Sequence, residues 1–519
     1  MATVIEQPAS AAGEGSNGKG LKSGAIGLLS NTVVAIASVA PAYSLAAALG
    51  FVVIAVGLQS PVVMLLAFFP MMFVAVGYQQ LNKVMPDCGT TFTWGTKAFG
   101  PKVGWMGGWG IIAADVIVMA NLAAIAGGYG FQLVGAKGLA ASTWWSLLAG
   151  VIWIVLMCWI CYIGIEISAR IQYALLGIEL VMLGIFSVTA LVKVYGGSAG
   201  HQAIKPALSW FNPFHLGFGA LTAGMLTALF IYWGWDTAVS INEETADKER
   251  APGIAAITST LVLLVTYVLV TVAAQSFAGV SANTKGIGLA NPNNSGDVLS
   301  VLGGKVFGTT GPGWVLAKLL VVMVLSSSAA STLTTILPTA RTSLAMAAYR
   351  SIPSRFARIH PRYLTPTWST IGMGVASIAF YVIMTAVSTS VLGDTISSLG
   401  LMIAFYYGLT GIACAWWFRH DLRNSGRELL VKGIAPLLGG LILFAFFFYG
   451  AYEFWNPDYG STSWTIPFWP DWHIGGVFLT GAGALIVGLI LMYFYRWVNP
   501  SFFRGETLNK DTAVLVPDN

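Results

Sequence analysis

Two bilayer-length apolar segments of this chain are each interrupted halfway. Residues 26–50 contain Ser38-Val39-Ala40-Pro41-Ala42-Tyr43-Ser44, and residues 217–240 contain Tyr232-Trp233-Gly234-Trp235-Asp236. A backbone break inside a membrane leaves N–H and C=O groups unpaired, at several kcal/mol each. It survives only where those groups line a cavity or are buried in protein. Pro41 removes an amide hydrogen and clashes with the preceding turn, and Gly234 loosens the second segment. Matching breaks in two halves of one chain predict a small-molecule site between them, the arrangement of a secondary transporter.

The rest of the chain repeats the same kind of segment. Of 519 residues, 56% are hydrophobic and 9% charged, against about 25% charged in soluble proteins. A crossing needs about 20 apolar residues. Twelve are expected, near 25–49, 53–79, 104–130, 144–163, 169–193, 217–239, 257–279, 313–336, 367–389, 394–418, 433–452 and 475–498. The expected fold is therefore all-α and polytopic, with the first and sixth helices discontinuous.

With the N-terminus placed in the cytoplasm, twenty of the 26 Lys and Arg fall on the inside. The positive-inside rule prefers that topology, with both termini cytoplasmic. The net charge of +5 then needs no nucleic acid as partner. Residues 1–22 are expected to be a disordered cytoplasmic tail without a cleaved signal peptide, and 499–519 a second cytoplasmic tail. Between them lie a transport core at 23–425 and two further helices at 426–498. Cys158 and Cys161 sit in an apolar helix with no second pair, so no metal site is expected.

Met85-Pro86-Asp87-Cys88-Gly89-Thr90-Thr91-Phe92-Thr93-Trp94, followed by Ala98-Phe99-Gly100-Pro101 and by Gly104 to Trp109, resembles the loop after the second helix of amino acid–polyamine–organocation permeases. Ile165 to Arg170, Asn242 to Asp247 and Arg341 to Pro353 are similar to other stretches of that family. The resemblance runs from about residue 22 to 425, and more weakly to 498. It implies a LeuT-like inverted repeat of five plus five helices, with helices 11 and 12 outside it.

Candidate site residues follow from the breaks and from acids in apolar segments. Ser38, Ala40, Pro41, Tyr43 and Ser44 would present free backbone groups at the first break, where half-helix N-termini attract anions. In relatives a Gly-Ser-Gly-like stretch there receives a substrate carboxylate. This chain has Ala40-Pro41-Ala42-Tyr43 instead, which keeps amines without a carboxylate open. Tyr232, Trp233, Gly234, Trp235 and Asp236 form the second break. By resemblance its carbonyls hold an amine and an aromatic gates the site, while Asp236 either meets the amine or caps the second half-helix.

Intramembrane acids are costly and point to function. Asp115, in the third helix, reads either as a substrate contact or as a structural hydrogen-bonding group. Glu179, in the fifth, reads as a proton carrier or a sodium ligand, where several proton-coupled relatives have a lysine. Ser326-Ser327-Ser328 and Thr332 are small residues that pack helices closely. In sodium-coupled proteins of the fold such hydroxyls join an ion site, which makes Ser327 and Ser328 candidates for ion coupling. Lys97, Lys102, Glu243, Glu244, Asp247 and Arg250 can anchor a cytoplasmic gate through ion pairs.

The function expected is import of amino acids or related amines across the plasma membrane, coupled to H+ or Na+, by a monomer or homodimer in lipid. An amino acid or polyamine exchanger and a non-transporting nutrient sensor are the alternatives. The chain has no P-loop, no repeated channel filter, and no nucleophile beside its five His. No enzyme activity and no cofactor are therefore expected.

Overall fold

The computed structural model describes residues 18–388, 391–466 and 469–515. The first helical elements are two successive half-helices, α1 (Leu28–Val39) and α2 (Pro41–Val56), followed by α3 (Ser60–Val84), the short α4 (Thr91–Phe99) and α5 (Pro101–Leu133). A single turn, α6 (Lys137–Ala140), leads to α7 (Thr143–Ile163) and α8 (Ile165–Tyr195). The second interrupted rod is α9 (Phe218–Tyr232) with α10 (Thr237–Ser240). Then come α11 (Ala251–Ala278), α12 (Val298–Phe307), α13 (Gly311–Ala348), α14 (Thr367–Val387) and α15 (Val391–Trp417). The turn α16 (Gly426–Glu428) winds through a π turn into α17 (Ala435–Phe454). A hairpin, β1 (Ser463–Ile466) and β2 (Trp469–Gly475), precedes α18 (Gly476–Val498) and the turn α19 (Pro500–Phe503).

Among the described residues ten stretches are long and apolar enough to cross a membrane; the first, Leu28–Val84, holds α1, α2 and α3 together. In the apolar windows of α5 and α13, 78% of residues are buried, and in α15 89%, whereas α7 and α18 bury 28%. The former are therefore interior rods and the latter form the rim. Exposed Trp144 and Trp314 stand near the starts of α7 and α13 at one end, and exposed Trp159, Trp368, Trp416 and Trp497 stand at the other, which is how aromatic belts mark two interfaces. Both described chain ends gather at the second end, here termed the terminal face.

Proline opens several helices at the first turn, where its missing N–H costs nothing: Pro41 in α2, Pro101 in α5, Pro436 in α17. Pro338 instead lies inside α13, which runs on to Ala348, past the expected end at 336. Packing on both sides outweighs the local penalty. At 38 residues, and about 1.5 Å each, α13 carries Arg341 out to the terminal face.

Other expectations need correction. The second rod starts at Ser60 rather than near 53, because α2 continues to Val56 and Gly57–Gln59 forms a turn. The all-α reading lacks the β1–β2 hairpin, whose strands pair antiparallel through Trp464–Ile474 and Thr465–His473. The expected tail at 1–22 falls outside the described residues up to 17, but Lys19 and Leu21 are buried. The expected tail at 499–519 is tied to the rest as far as the Leu515 backbone: Phe502 and Leu508 are buried, and Phe502 stacks on Phe92. Residues 516–519 lie outside the described ones.

Candidate functional site

The first break is a single residue. Ala40 adopts the left-handed conformation (φ 49°, ψ 68°) between α1 and α2, which costs a residue with a Cβ roughly 1–2 kcal/mol. The second spans more chain: Trp233 is extended (φ −77°, ψ 145°) and Gly234 has φ 120°. The breaks touch. A Cβ on Gly234 would stand 2.9 Å from the carbonyl carbon and oxygen of Ser38, so only glycine fits.

Hydroxyls satisfy the loosened backbone. Ser331 donates to the Ser38 carbonyl (3.1 Å), and Ser44 donates to the Val39 carbonyl (2.7 Å). Ser38 and Thr237 share a 2.7 Å hydrogen bond. Pro338 cannot donate to the carbonyl four residues earlier. That carbonyl, of Thr334, accepts from the Thr237 hydroxyl at 3.4 Å. The irregular turns of α1, α10 and α13 are thus tied into one knot.

A cavity lies in this knot, lined by Ser38, Tyr43, Asp115, Trp233, Asp236 and Thr335 among others. It measures only about 10 Å³, room for about one water, so the centre is closed. Asp236 precedes α10 but makes no capping hydrogen bond. Its carboxylate accepts from Tyr407 (2.8 Å) and Tyr406 (3.3 Å) of α15. Asp115 accepts from Thr339 (2.5 Å). Two carboxylates therefore line one buried space, and among the described residues no Lys, Arg or His lines it.

Not every candidate lies there. Ser38, Tyr43, Ser44, Asp115, Trp233, Gly234 and Asp236 do. Tyr232 packs edge-on against Tyr267, and Trp235 lies between Tyr78 and Tyr407, so both rings face neighbouring helices. Ser328 donates to the Leu122 carbonyl (3.0 Å) on α5, away from Ser327. Phe230, Ser331, Thr335, Tyr406 and Tyr407 were not anticipated. Hydroxyl-bearing residues in apolar helices are commonplace, and only the fold brings α15 to this point.

Glu179 of α8 is fully buried beside the Ser327 hydroxyl and the Ala42 amide at the start of α2. Neither carboxylate oxygen has a hydrogen bond of ordinary geometry. Ser327 accepts from the Tyr43 amide (3.0 Å). Glu179 and Ser327 thus meet at the first break, next to the cavity but outside its wall.

The two ends of the molecule close differently. On the terminal face the Lys19 ammonium contacts Asp87 (2.8 Å) and Glu243 (2.6 Å), all three buried. Asp87 also accepts from Tyr349, Gly89 and Thr93, and Glu243 from the Cys88 amide (2.8 Å). Asp87, Cys88 and Glu243 have ligand atoms within 4.8 Å of one another, a spacing that suits a metal, but here Lys19 supplies the positive charge. Arg341 grips Glu244 with two hydrogen bonds of 2.9 Å each. Of the expected gate charges, Glu243 and Glu244 are paired as anticipated in type, with Lys19 and Arg341 as unforeseen partners. Lys97 binds the carbonyls of Asn509 and Thr512 instead.

Burial alone would pull Lys19 down, but the two carboxylates hold it well above the ordinary lysine value. Burial likewise raises Glu243. At Asp87 burial is outweighed by Lys19 and its other donors, so its pKa is lowered.

Toward the opposite face no ion pair among the described residues closes the wall of the site. Tyr43 donates to Asn121 (3.0 Å) and meets Phe230 edge-on. Asn121 in turn lines a cavity of about 300 Å³ with Phe51, Tyr129, Gln132 and Asp297. One hydrogen bond therefore joins the wall of the closed centre to the wall of an open vestibule.

Comparison with known proteins gives a consistent result. A family profile described as amino acid permease matches residues 26–479. The chain is 25% identical over 346 residues to the vacuolar cationic amino acid transporter 4 of Arabidopsis thaliana, covering 63% of this chain and 52% of that protein. It is 26% identical over 248 residues to the branched-chain amino acid permease of Lactococcus lactis subsp. cremoris, covering 44% and 51%. It is 19% identical over 385 residues to the low-affinity putrescine importer of Escherichia coli, covering 72% and 77%. The match thus spans about half the length of the first two relatives.

Proposed function

Because the chain belongs to the amino acid permease family, a family of transporters and not of enzymes, we propose that it is a secondary active transporter that imports amino acids or related amines by ion-coupled alternating access. The single observation that carries this reading is the contact of Gly234 with Ser38, which joins two broken helices around a buried cavity. Backbone irregularity at that depth is tolerated where it serves a site. In this reading twelve crossings comprise a five-plus-five inverted repeat and two additional helices, in the plasma membrane, with both termini cytoplasmic. The terminal face is then the inner one. Ion pairs hold the inner gate shut, and the 300 Å³ vestibule opens outward.

Glu179 is the proposed coupling group, with protons as the coupling ion. An unpartnered carboxyl buried beside the first break gains or loses a proton at the cost of few hydrogen bonds, and Ser327 connects it to the Tyr43 amide. Ser328, bonded to α5, is left out of the coupling site. The test is uptake in vesicles with imposed pH or sodium gradients, for wild type and Glu179→Gln. Accumulation should follow the pH gradient in wild type. In the variant it should vanish while exchange of internal for external substrate survives. Unimpaired accumulation in Glu179→Gln would remove Glu179 from coupling. Accumulation driven by sodium alone would replace the proton.

A further inference from the structure

The start of α2 is where a half-helix would offer amides to a substrate carboxylate. In this chain all but one of those amides are used or missing. Pro41 has none, the Tyr43 amide donates to Ser327 (3.0 Å), and the Ser44 amide donates to the Ala40 carbonyl (2.9 Å). The Ala42 amide faces Glu179, a carboxylate that the protein itself supplies. An incoming carboxylate would find only the Ala42 amide there, and beside it a buried acid of like charge.

The cavity wall carries the same message independently. It holds two carboxylic acids, Asp115 and Asp236, and among the described residues no basic side chain lines the space. Their hydroxyl donors, Thr339, Tyr406 and Tyr407, orient the carboxylates without neutralising them. The aromatic Trp233, Tyr43 and Phe230 complete the wall and suit an ammonium group, which is attracted to ring faces.

We infer that the central site selects amines lacking a carboxylate, above all diamines with one ammonium for each aspartate, over the amino acids from which such amines derive. Glu179 acts here as a specificity determinant, because it occupies the position a substrate carboxylate would need. This inference rests on the transport reading above and narrows it.

The test compares molecules that differ by one carboxylate: agmatine with arginine, putrescine with ornithine, and cadaverine with lysine. Full-length protein in lipid nanodiscs is titrated for thermal stabilisation, and the same compounds compete for uptake in proteoliposomes. The decarboxylated member of each pair should act at a concentration at least about tenfold lower. In Glu179→Ala combined with Pro41→Gly, which uncovers the Ala42 amide and adds one at position 41, that ratio should fall toward one. Preference for the carboxylated members in wild type overturns the inference and leaves the transport reading intact. An unchanged ratio in the double variant removes Glu179 from selectivity and overturns the inference as stated. If no member of any pair binds or accumulates, both readings fall.

Discussion

Asp236 concentrates the residue-scale argument. It sits in the second break, its carboxylate is oriented by two tyrosine hydroxyls, and it faces a space with no compensating cation. Replacing it by Asn keeps the shape and some hydrogen bonding but removes the charge. A hydrogen bond to a charged group contributes about 1.5–3 kcal/mol, so Asp236→Asn should lower apparent amine affinity by roughly 10- to 100-fold with expression and folding intact. Unchanged uptake and affinity would exclude a substrate contact. The acids were legible in the sequence because a carboxylate in an apolar segment is conspicuous. Thr335, Ser331 and Tyr406 were not, since nothing in a hydroxyl-bearing residue distinguishes a site wall from helix packing. Ser328 illustrates the converse, a plausible ligand by adjacency that the helix turns toward α5.

At the scale of elements, the two breaks differ in tolerance. Ala40 is a strained residue where glycine would be comfortable, whereas Gly234 is a glycine where a Cβ collides. Ala40→Gly should be neutral or stabilising by up to about 1 kcal/mol, since relief of left-handed strain opposes the added freedom of the unfolded chain. Gly234→Ala should destabilise by more than about 2 kcal/mol, through the clash at 2.9 Å together with its φ of 120°. Thermal unfolding of the two variants would give Tm shifts of opposite order if these conformations were misassigned. Pro41 and Gly234 announced both breaks in the sequence, because each residue type has a direct backbone consequence. The extent of the helices was less legible. α13 overrides Pro338 and passes the expected end by a dozen residues, since a proline inside a well-packed rod is offset by contacts that sequence does not display. The β1–β2 hairpin was hidden for a similar reason, being short and enclosed between two strong helical signals.

At the scale of the molecule, the terminal face is held by charges that come from distant parts of the chain. Lys19→Gln would leave Asp87 and Glu243 buried without their partner, and breaking a buried pair costs about 3–5 kcal/mol. The closed form should lose its advantage, and Cys88, fully buried between these groups, should react with a maleimide at least about tenfold faster at fixed pH. Unaltered labelling would show that Arg341 and Glu244 hold the face alone. The pH dependence follows from the directions of the shifts. Lys19 is raised, so its contribution is complete below about pH 10.4 and is lost only as pH climbs beyond that. Asp87 is lowered, so its contribution is complete above about pH 3.9 and is lost only on falling below it. Glu243 is raised by burial and opposes closure when ionised, a cost relieved by acid. Closure should therefore not weaken between about pH 9 and pH 5. The pairing was invisible in the sequence because Lys19 lies in a polar stretch that reads as a tail. Its ammonium also donates to the Leu515 carbonyl (3.2 Å), while the Leu515 amide donates to the Tyr349 hydroxyl (3.0 Å). Beginning and end of the described chain are thus fastened to the same point, so the protein carries its own ruler. Fluorophores at residues 18 and 513 should report high energy transfer while the terminal face is shut. Transfer should fall in Lys19→Gln and whenever a transported solute drives the face open, and it should hold steady across the pH range above.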